Sequence, residues 1–288
     1  MRLFSITAAT LTFAALGFSQ NGPLAPAPLT DPRVSNSHIH LFTKDPEVQR
    51  HFWVDIMGAT ANKMGPDRDG YTLPKVLVIV DKGNPTAGTE GSVVNHVGFK
   101  VRDMKDILDK VAAQHFTIQV KNPPENPKQA FFLGPDDIRI ELLADDKITT
   151  PSENHQVHFF TPDVDAMQKW YVSNFGAAPV AFGAGKVKLA TLPDVNLIFS
   201  PTDTPVTGTK GRALDHIGFE VKDLEGFTKT LEANGVKLDT PYRKIPQMGF
   251  AVAFLTDPWG TRIELTERSA STGPAPSPSA QSQKPAQQ

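Results

Sequence analysis

Polar and apolar residues alternate in four short stretches of this chain. They are His38-Ile-His-Leu-Phe-Thr-Lys-Asp45, His96-Val-Gly-Phe-Lys-Val-Arg-Asp103, Gln156-Val-His-Phe-Phe-Thr-Pro-Asp163 and His216-Ile-Gly-Phe-Glu-Val-Lys-Asp223. In the second, Val97, Phe99 and Val101 fall on one face and His96, Gly98 and Lys100 on the other, a period-two pattern that predicts a half-buried strand. Each stretch reaches an aspartate where a helix N-cap belongs, and Pro46 follows the first at a position where its missing N–H costs nothing. Helical stripes come next: Val48, Phe52 and Ile56; Ile107, Leu108 and Val111; Met167, Trp170 and Tyr171; Leu224, Phe227 and Leu231. Gly58, Gly176 and Gly235 stand near the predicted helix ends, where a left-handed residue is wanted. Strand-like runs at 75–80, 129–133, 187–191, 195–199 and 250–255 complete the pattern. The unit is strand, helix, then two or three strands, and four such units predict an α+β protein.

A longer period overlies the short one. His38 and Gln156 are 118 residues apart, His96 and His216 are 120 apart, and Glu141 and Glu264 are 123 apart. The halves also close alike, with Gly134-Pro-Asp-Asp-Ile-Arg-Ile-Glu-Leu142 and Asp257-Pro-Trp-Gly-Thr-Arg-Ile-Glu-Leu265. The chain reads as two fused, similar domains, 34–150 and 151–270, each of ordinary domain size. Ahead of them, 1–19 reads as a signal peptide: a basic start, a run of apolar and small residues, and a cleavage site near Ser19. The expected location is periplasmic or secreted. A proline-rich linker (20–33) follows, and 271–288 forms a Pro-, Ser- and Gln-rich tail with nothing to bury, expected to be disordered.

A strand opening with His, an Asp seven residues on, and a closing strand ending in Ile-Glu-Leu resemble the vicinal oxygen chelate superfamily. That group includes glyoxalase I, the bleomycin-resistance proteins, fosfomycin-thiol transferases, methylmalonyl-CoA epimerase and the extradiol dioxygenases. The resemblance covers nearly everything but the two ends. It implies four βαβββ modules paired into two tandem glyoxalase/bleomycin-resistance/dioxygenase-like domains, each curling a sheet around a funnel that holds a divalent metal (Fe, Mn, Zn or Ni). The ligand positions it implies are His38, His96 and Glu141 in the first half, and Gln156, His216 and Glu264 in the second. Some relatives exchange modules between halves, so His38 pairs either with His96 and Glu141 or with His216 and Glu264. Either way, one site has His, His and Glu and the other Gln, His and Glu. Two imidazoles and a carboxylate leave coordination positions for water or substrate.

His40 and His158 lie two residues beyond the first ligand and so share its face. They are candidate general bases, with fourth ligation and a spacer role as the alternatives. The matching positions in the other two strands are Gly98 and Gly218, which leave room. Arg139 and Arg262 share a face with the two glutamates and are candidates to hold an anionic substrate, a rim salt bridge being the alternative. The fourth ligand of glyoxalase I-type members falls in 76–80 and 195–199, where only apolar residues stand near that position. The tyrosine proton donor of the dioxygenase branch is replaced by Phe132 and Phe254, and no histidine lies in 239–250.

The functional expectation is a metal-dependent enzyme, lyase/isomerase or dioxygenase-like, in which the cation binds vicinal oxygens of a small substrate and stabilises an enolate-like or alkoxide charge. The alternative is a metal-free small-molecule binding or sequestering protein. With 29 basic and 31 acidic residues and no basic run, the chain shows no electrostatic footprint for nucleic acid. No cysteine is present, so thiolate ligands and disulfides are excluded. Small-molecule substrate, no membrane association after signal cleavage, and a monomer or homodimer complete the expectation.

Overall fold

The computed structural model describes residues 33–123, 126–181 and 185–268. The expected signal peptide, all of the linker but its last residue, and the tail at 271–288 lie outside the described residues. The first module runs β1 (Val34–Thr43), α1 (Pro46–Arg50) continued by a π-helical turn (His51–Ile56), β2 (Thr60–Gly65), β3 (Arg68–Leu73) and β4 (Val76–Lys82). The second contains β5 (Val94–Val101), α2 (Met104–Ala113), β6 (Thr117–Lys121), β7 (Gln129–Leu133) and β8 (Arg139–Ala144). The third contains β9 (Ser152–Thr161), α3 (Val164–Phe175), β10 (Ala178–Val180), β11 (Lys188–Leu192) and β12 (Val195–Pro201). The fourth contains β13 (Leu214–Val221), α4 (Leu224–Ala233), β14 (Leu238–Ile245), β15 (Phe250–Thr256) and β16 (Arg262–Arg268). The four-module α+β architecture is therefore present.

All four aspartates cap their helices. Asp45 accepts from the amides of Glu47 and Val48, Asp103 from Asp106, Asp163 from Ala166 and Asp223 from Gly226. Gly176 ends α3 in the left-handed conformation, which a residue without Cβ adopts freely. One helical stripe differs from the 3.6-residue expectation. Val48 is exposed, whereas Trp53 is fully buried beside Phe52 and Ile56. The π-helical turn adds a residue per turn and so rotates Trp53 into the core.

The modules form two eight-stranded sheets. Their orders are β14-β15-β16-β13-β1-β4-β3-β2 and β10-β11-β12-β9-β5-β8-β7-β6. Modules one and four share the first sheet, and modules two and three share the second. Of the two pairings left open by the repeat, the exchanged one is adopted. The seams are antiparallel: β1 with β13, and β5 with β9. Each half of the sequence thus supplies one module to each sheet.

The aromatic core follows the opposite grouping. Phe52 and Trp53 of the first module meet Phe132 and Phe99 of the second, with ring centroids 5.9 and 5.6 Å apart. Phe175 of the third meets Phe219 and Phe227 of the fourth at 5.3 and 5.9 Å. Sheets are joined across halves by hydrogen bonds, and halves are joined across sheets by side-chain packing. Buried aromatic pairs of this kind add about 0.5–1.5 kcal/mol each beyond area burial.

The opening strands are buried on both faces near their centres, not on one. His38, His40, His96, His158 and His216 are all buried although they lie on the polar face. That face lines an interior site, which alternation alone does not distinguish from solvent. Because the caps lie at the surface, Asp103→Ala should lower stability by about 1 kcal/mol with the metal sites untouched. Urea unfolding in the presence of a chelator measures this.

Candidate metal centres

The two seams carry the predicted ligands. In the first sheet, His40 stands opposite His216, and His38 opposite Gly218. Gly218 in turn pairs with Glu264 of β16. A Cβ at Gly218 would fall inside the His38 ring, so the glycine is what lets imidazole and carboxylate meet across it. Nε2 of His38 and Nε2 of His216 lie 3.1 and 2.9 Å from the same oxygen, Oε2 of Glu264. The His40 and His216 rings are 4.4 Å apart. One ligand atom from each of His38, His40, His216 and Glu264 lies within 4.8 Å of the others. Ligands about 2.1 Å from a cation are separated by about 3–4.2 Å, so side-chain shifts of well under about 1 Å bring these atoms into one coordination sphere.

A charged outer layer holds the cluster. His216 Nδ1 donates to Asp215 Oδ1 over 2.6 Å, and the same oxygen accepts from Arg262. His40 Nε2 donates to Asp81 Oδ2 over 3.0 Å, and Asp81 takes a two-pronged grip from Arg68, both bonds 2.7 Å. Burial works against charge on Glu264, but hydrogen bonds from His216 and His38 hold its carboxyl well below the usual range. Asp215 is brought down to about 2 in the same way, burial being outweighed by His216 and the Gly211 amide. His216 is likewise disfavoured as a cation by burial and raised by Asp215 and Glu264. Burial, with the neighbouring histidines, lowers His40 to about 4.

The second sheet repeats the geometry with neutral groups in place of the two aspartates. His158 stands opposite His96, Gln156 opposite Gly98, and Gly98 pairs with Glu141. A Cβ at Gly98 would strike the Gln156 side chain. His96, Glu141 and His158 form a second cluster within 4.8 Å. His96 Nε2 lies 3.0 Å from Glu141 Oε2, and that oxygen also accepts from Gln156 over 2.5 Å. The other oxygen accepts from Gln129, so both oxygens of the carboxylate are taken by amides. Asn95 replaces Asp215 behind the histidine, and Ser200 replaces Asp81 beneath His158. Burial raises Glu141 from its ordinary value and lowers His96 and His158 well below the imidazole range.

Both clusters are positioned to chelate a divalent cation. Of the sequence-derived positions, His38 joins His216 and Glu264, while Gln156 joins His96 and Glu141. His40 and His158 lie within ligand reach of their clusters. Arg262 and Arg139 stack on Phe254 and Phe131, 4.8 and 4.3 Å from the ring centres. Their guanidinium groups bond Asp215 and Asn95, the partners of His216 and His96. Phe254 and Phe131 face Glu264 and Glu141 in register, so the counterpart of Phe254 is Phe131. Phe132, expected there, lies in the core because it is one residue out of phase on the strand.

Sequence reasoning missed Asp81, Ser200, Arg68 and Gln129. Leu77 and Ile79 pair with His38 and His40, and the same alternation carried one step further reaches Asp81. The predicted strand ended at residue 80, one short of it. Gln129 begins a strand that was recognised, but its target is visible only once β7 pairs with β8.

Residues 154–265 match the Glyoxalase/Bleomycin resistance protein/Dioxygenase superfamily. Among solved structures, glyoxalase I from Zea mays is similar with a TM-score of 0.65 at 14% identity, covering 81% of this chain and 92% of that one. A mutant of the same enzyme gives 0.67 at 14%, over 82% and 94%. A candidate dioxygenase from Bacillus subtilis gives 0.63 at 13%, over 81% and 85%. At these identities the likeness is one of fold. No curated protein matches the chain in sequence.

Gly218→Ala should displace His38 and weaken metal binding at the first cluster, while Gly98→Ala should leave that cluster intact. Metal titration of both variants measures the difference. In chelator-treated protein, His40, His96, His155 and His158 are all lowered by burial. The unfolded chain therefore takes up protons below about pH 6.5 that the folded chain refuses. Their contribution is complete above that pH and is lost as pH falls toward about 4. The raised carboxyls of Glu141 and Asp257 act the opposite way but number two against four. The raised His216 contributes stability that is lost only above the ordinary histidine range, outside this window. The thermal midpoint should thus fall as pH is lowered from about 6.5 to about 4.5; a flat profile would contradict it.

Proposed function

The chain carries the glyoxalase/dioxygenase-like fold of the vicinal oxygen chelate superfamily, and from that premise we propose an exported, metal-dependent enzyme acting on a small substrate. Its working centre is the first cluster, with His38, His216 and Glu264 as ligands. The observation that carries this reading is the difference between two sites built on one backbone plan. The first has Asp215, Asp81, Arg68 and Arg262 around an ionised Glu264; the second keeps Arg139 but has Asn95, Ser200, Gln129 and Gln156 around a Glu141 whose charge burial disfavours. A dication gains most where the carboxylate is ionised and the imidazoles are backed by anions.

A divalent cation held there supplies Lewis acidity to two vicinal oxygens of a substrate. The chain's own part is to keep Glu264 ionised, to aim His216 through Asp215, and to exclude water by burying the imidazoles on both sides of the seam. Arg262 braces Asp215 from the Phe254 face, fixing His216 without touching the metal position. Proton-transfer, isomerisation and lyase reactions of α-oxygenated substrates are the classes such a centre serves. The apolar and small-residue segment ahead of Ser19 supports export. The second cluster, with its carboxylate already satisfied by two amides, is the weaker site.

Protein purified without chelator or metal-affinity tag should carry about one divalent metal per chain. His216→Ala should remove it, and Glu141→Gln should leave it in place. Metal analysis decides the matter, followed by a screen of α-ketoaldehydes, catechols and epoxides with the loaded protein. Wild-type protein without metal would overturn the proposal and favour a metal-free binding role.

A further inference from the structure

The His40 side chain has one nitrogen bonded and one bare. Its Nε2 faces Asp81 Oδ2 at 3.0 Å, and its Nδ1 is buried with no hydrogen-bond partner. Asp81 is gripped through both oxygens by Arg68, an arrangement that keeps it a carboxylate and an acceptor only. The proton of a neutral His40 must then sit on Nε2, which leaves the Nδ1 lone pair unused inside the protein. A bare buried lone pair costs free energy unless something meets it. His40 also lies within the 4.8 Å span of His38, His216 and Glu264. We infer that His40 is a fourth protein ligand of the first centre, bound through Nδ1, and that Asp81 and Arg68 are positioning residues that set its tautomer.

This rests on the metal-centre reading above and deepens it. It departs from the expectation that His40 is a general base, because a nitrogen committed to the metal has no lone pair for a substrate proton. It also changes the count of ligands from three to four, giving a His, His, His, Glu set. The carboxylate that β4 brings into the site, Asp81, acts through His40 instead of binding the cation. His158 has the same bare Nδ1, but its Nε2 meets the Ser200 hydroxyl at 2.7 Å. A hydroxyl both donates and accepts, so it leaves the His158 tautomer unset. The inference is therefore confined to the first centre.

Cobalt(II) titration of full-length protein, read by visible d–d absorption, tests this without reference to activity. His40→Ala and Asp81→Asn should each weaken cobalt binding by about 10–100-fold. His40→Ala should also change the shape and intensity of the bound-cobalt spectrum, as loss of one nitrogen ligand requires. Thermal unfolding of the chelated variants controls for folding. In zinc-loaded wild type, nitrogen-15 shifts of the histidine rings should place the metal on Nδ1 of His40 and on Nε2 of His38 and His216. Wild-type protein that binds cobalt while His40→Ala keeps its affinity and spectrum would overturn this inference alone. A His40 ring whose Nδ1 is unshifted by zinc would do the same. Wild-type protein that binds no cobalt would overturn this inference and the metal-centre reading together.

Discussion

Everything functional in this molecule depends on two antiparallel seams, β1 with β13 and β5 with β9. Residue pairing across a seam is set to the single residue by alternation of faces, since a one-residue slip would turn every histidine toward the core. That register sets His40 against His216 and His158 against His96, and it places a glycine opposite each first ligand. The glycines are the geometric key. Gly218 and Gly98 vacate the space between two strands into which an imidazole or amide from one side and a carboxylate from the other extend.

Hydrogen bonding and packing group the four modules differently, and the difference makes the chain one body. A sheet takes one module from each half, whereas the Phe52–Phe132, Trp53–Phe99 and Phe175–Phe219 contacts stay within a half. Connecting segments reinforce this. The Val93 amide donates to Thr207 and the Ala213 amide to Ala87, so the linker after module one is tied to the linker after module three. The cluster at each seam therefore depends on both halves being folded together.

Within this shared frame, electrostatics separates the two centres. Asn95 in place of Asp215 and Ser200 in place of Asp81 leave the second site without two anions, one buried and one part-buried. Gln129 stands where the first site has Val252, and it donates to a carboxylate that has no second carboxylate in the layer behind its histidines. The same backbone thus supports one centre whose glutamate is held ionised by imidazole hydrogen bonds and one whose glutamate is disfavoured as an anion by burial and held by amides.

The fold was legible from sequence because it is written four times in short-range chemistry. Alternation, an Asp cap and a closing Ile-Glu-Leu are properties of neighbouring residues. That His38, His216 and Glu264 recur at matching strand positions was legible for the same reason, as was the copy in which Gln156 replaces a histidine. Module pairing was not, since all four modules present the same edge pattern and only the folded sheets decide which edges meet. Asp81, Arg68 and Gln129 were hidden because each acts through a neighbour brought beside it by strand pairing. Phe131 was misplaced by one residue, which on a strand exchanges site for core. The sequence by itself determined the modules and the donor atoms they carry. The tertiary structure decided which donors share a centre, because convergence of side chains 226 residues apart, such as His38 and Glu264, is a property of sheet register that no local pattern encodes.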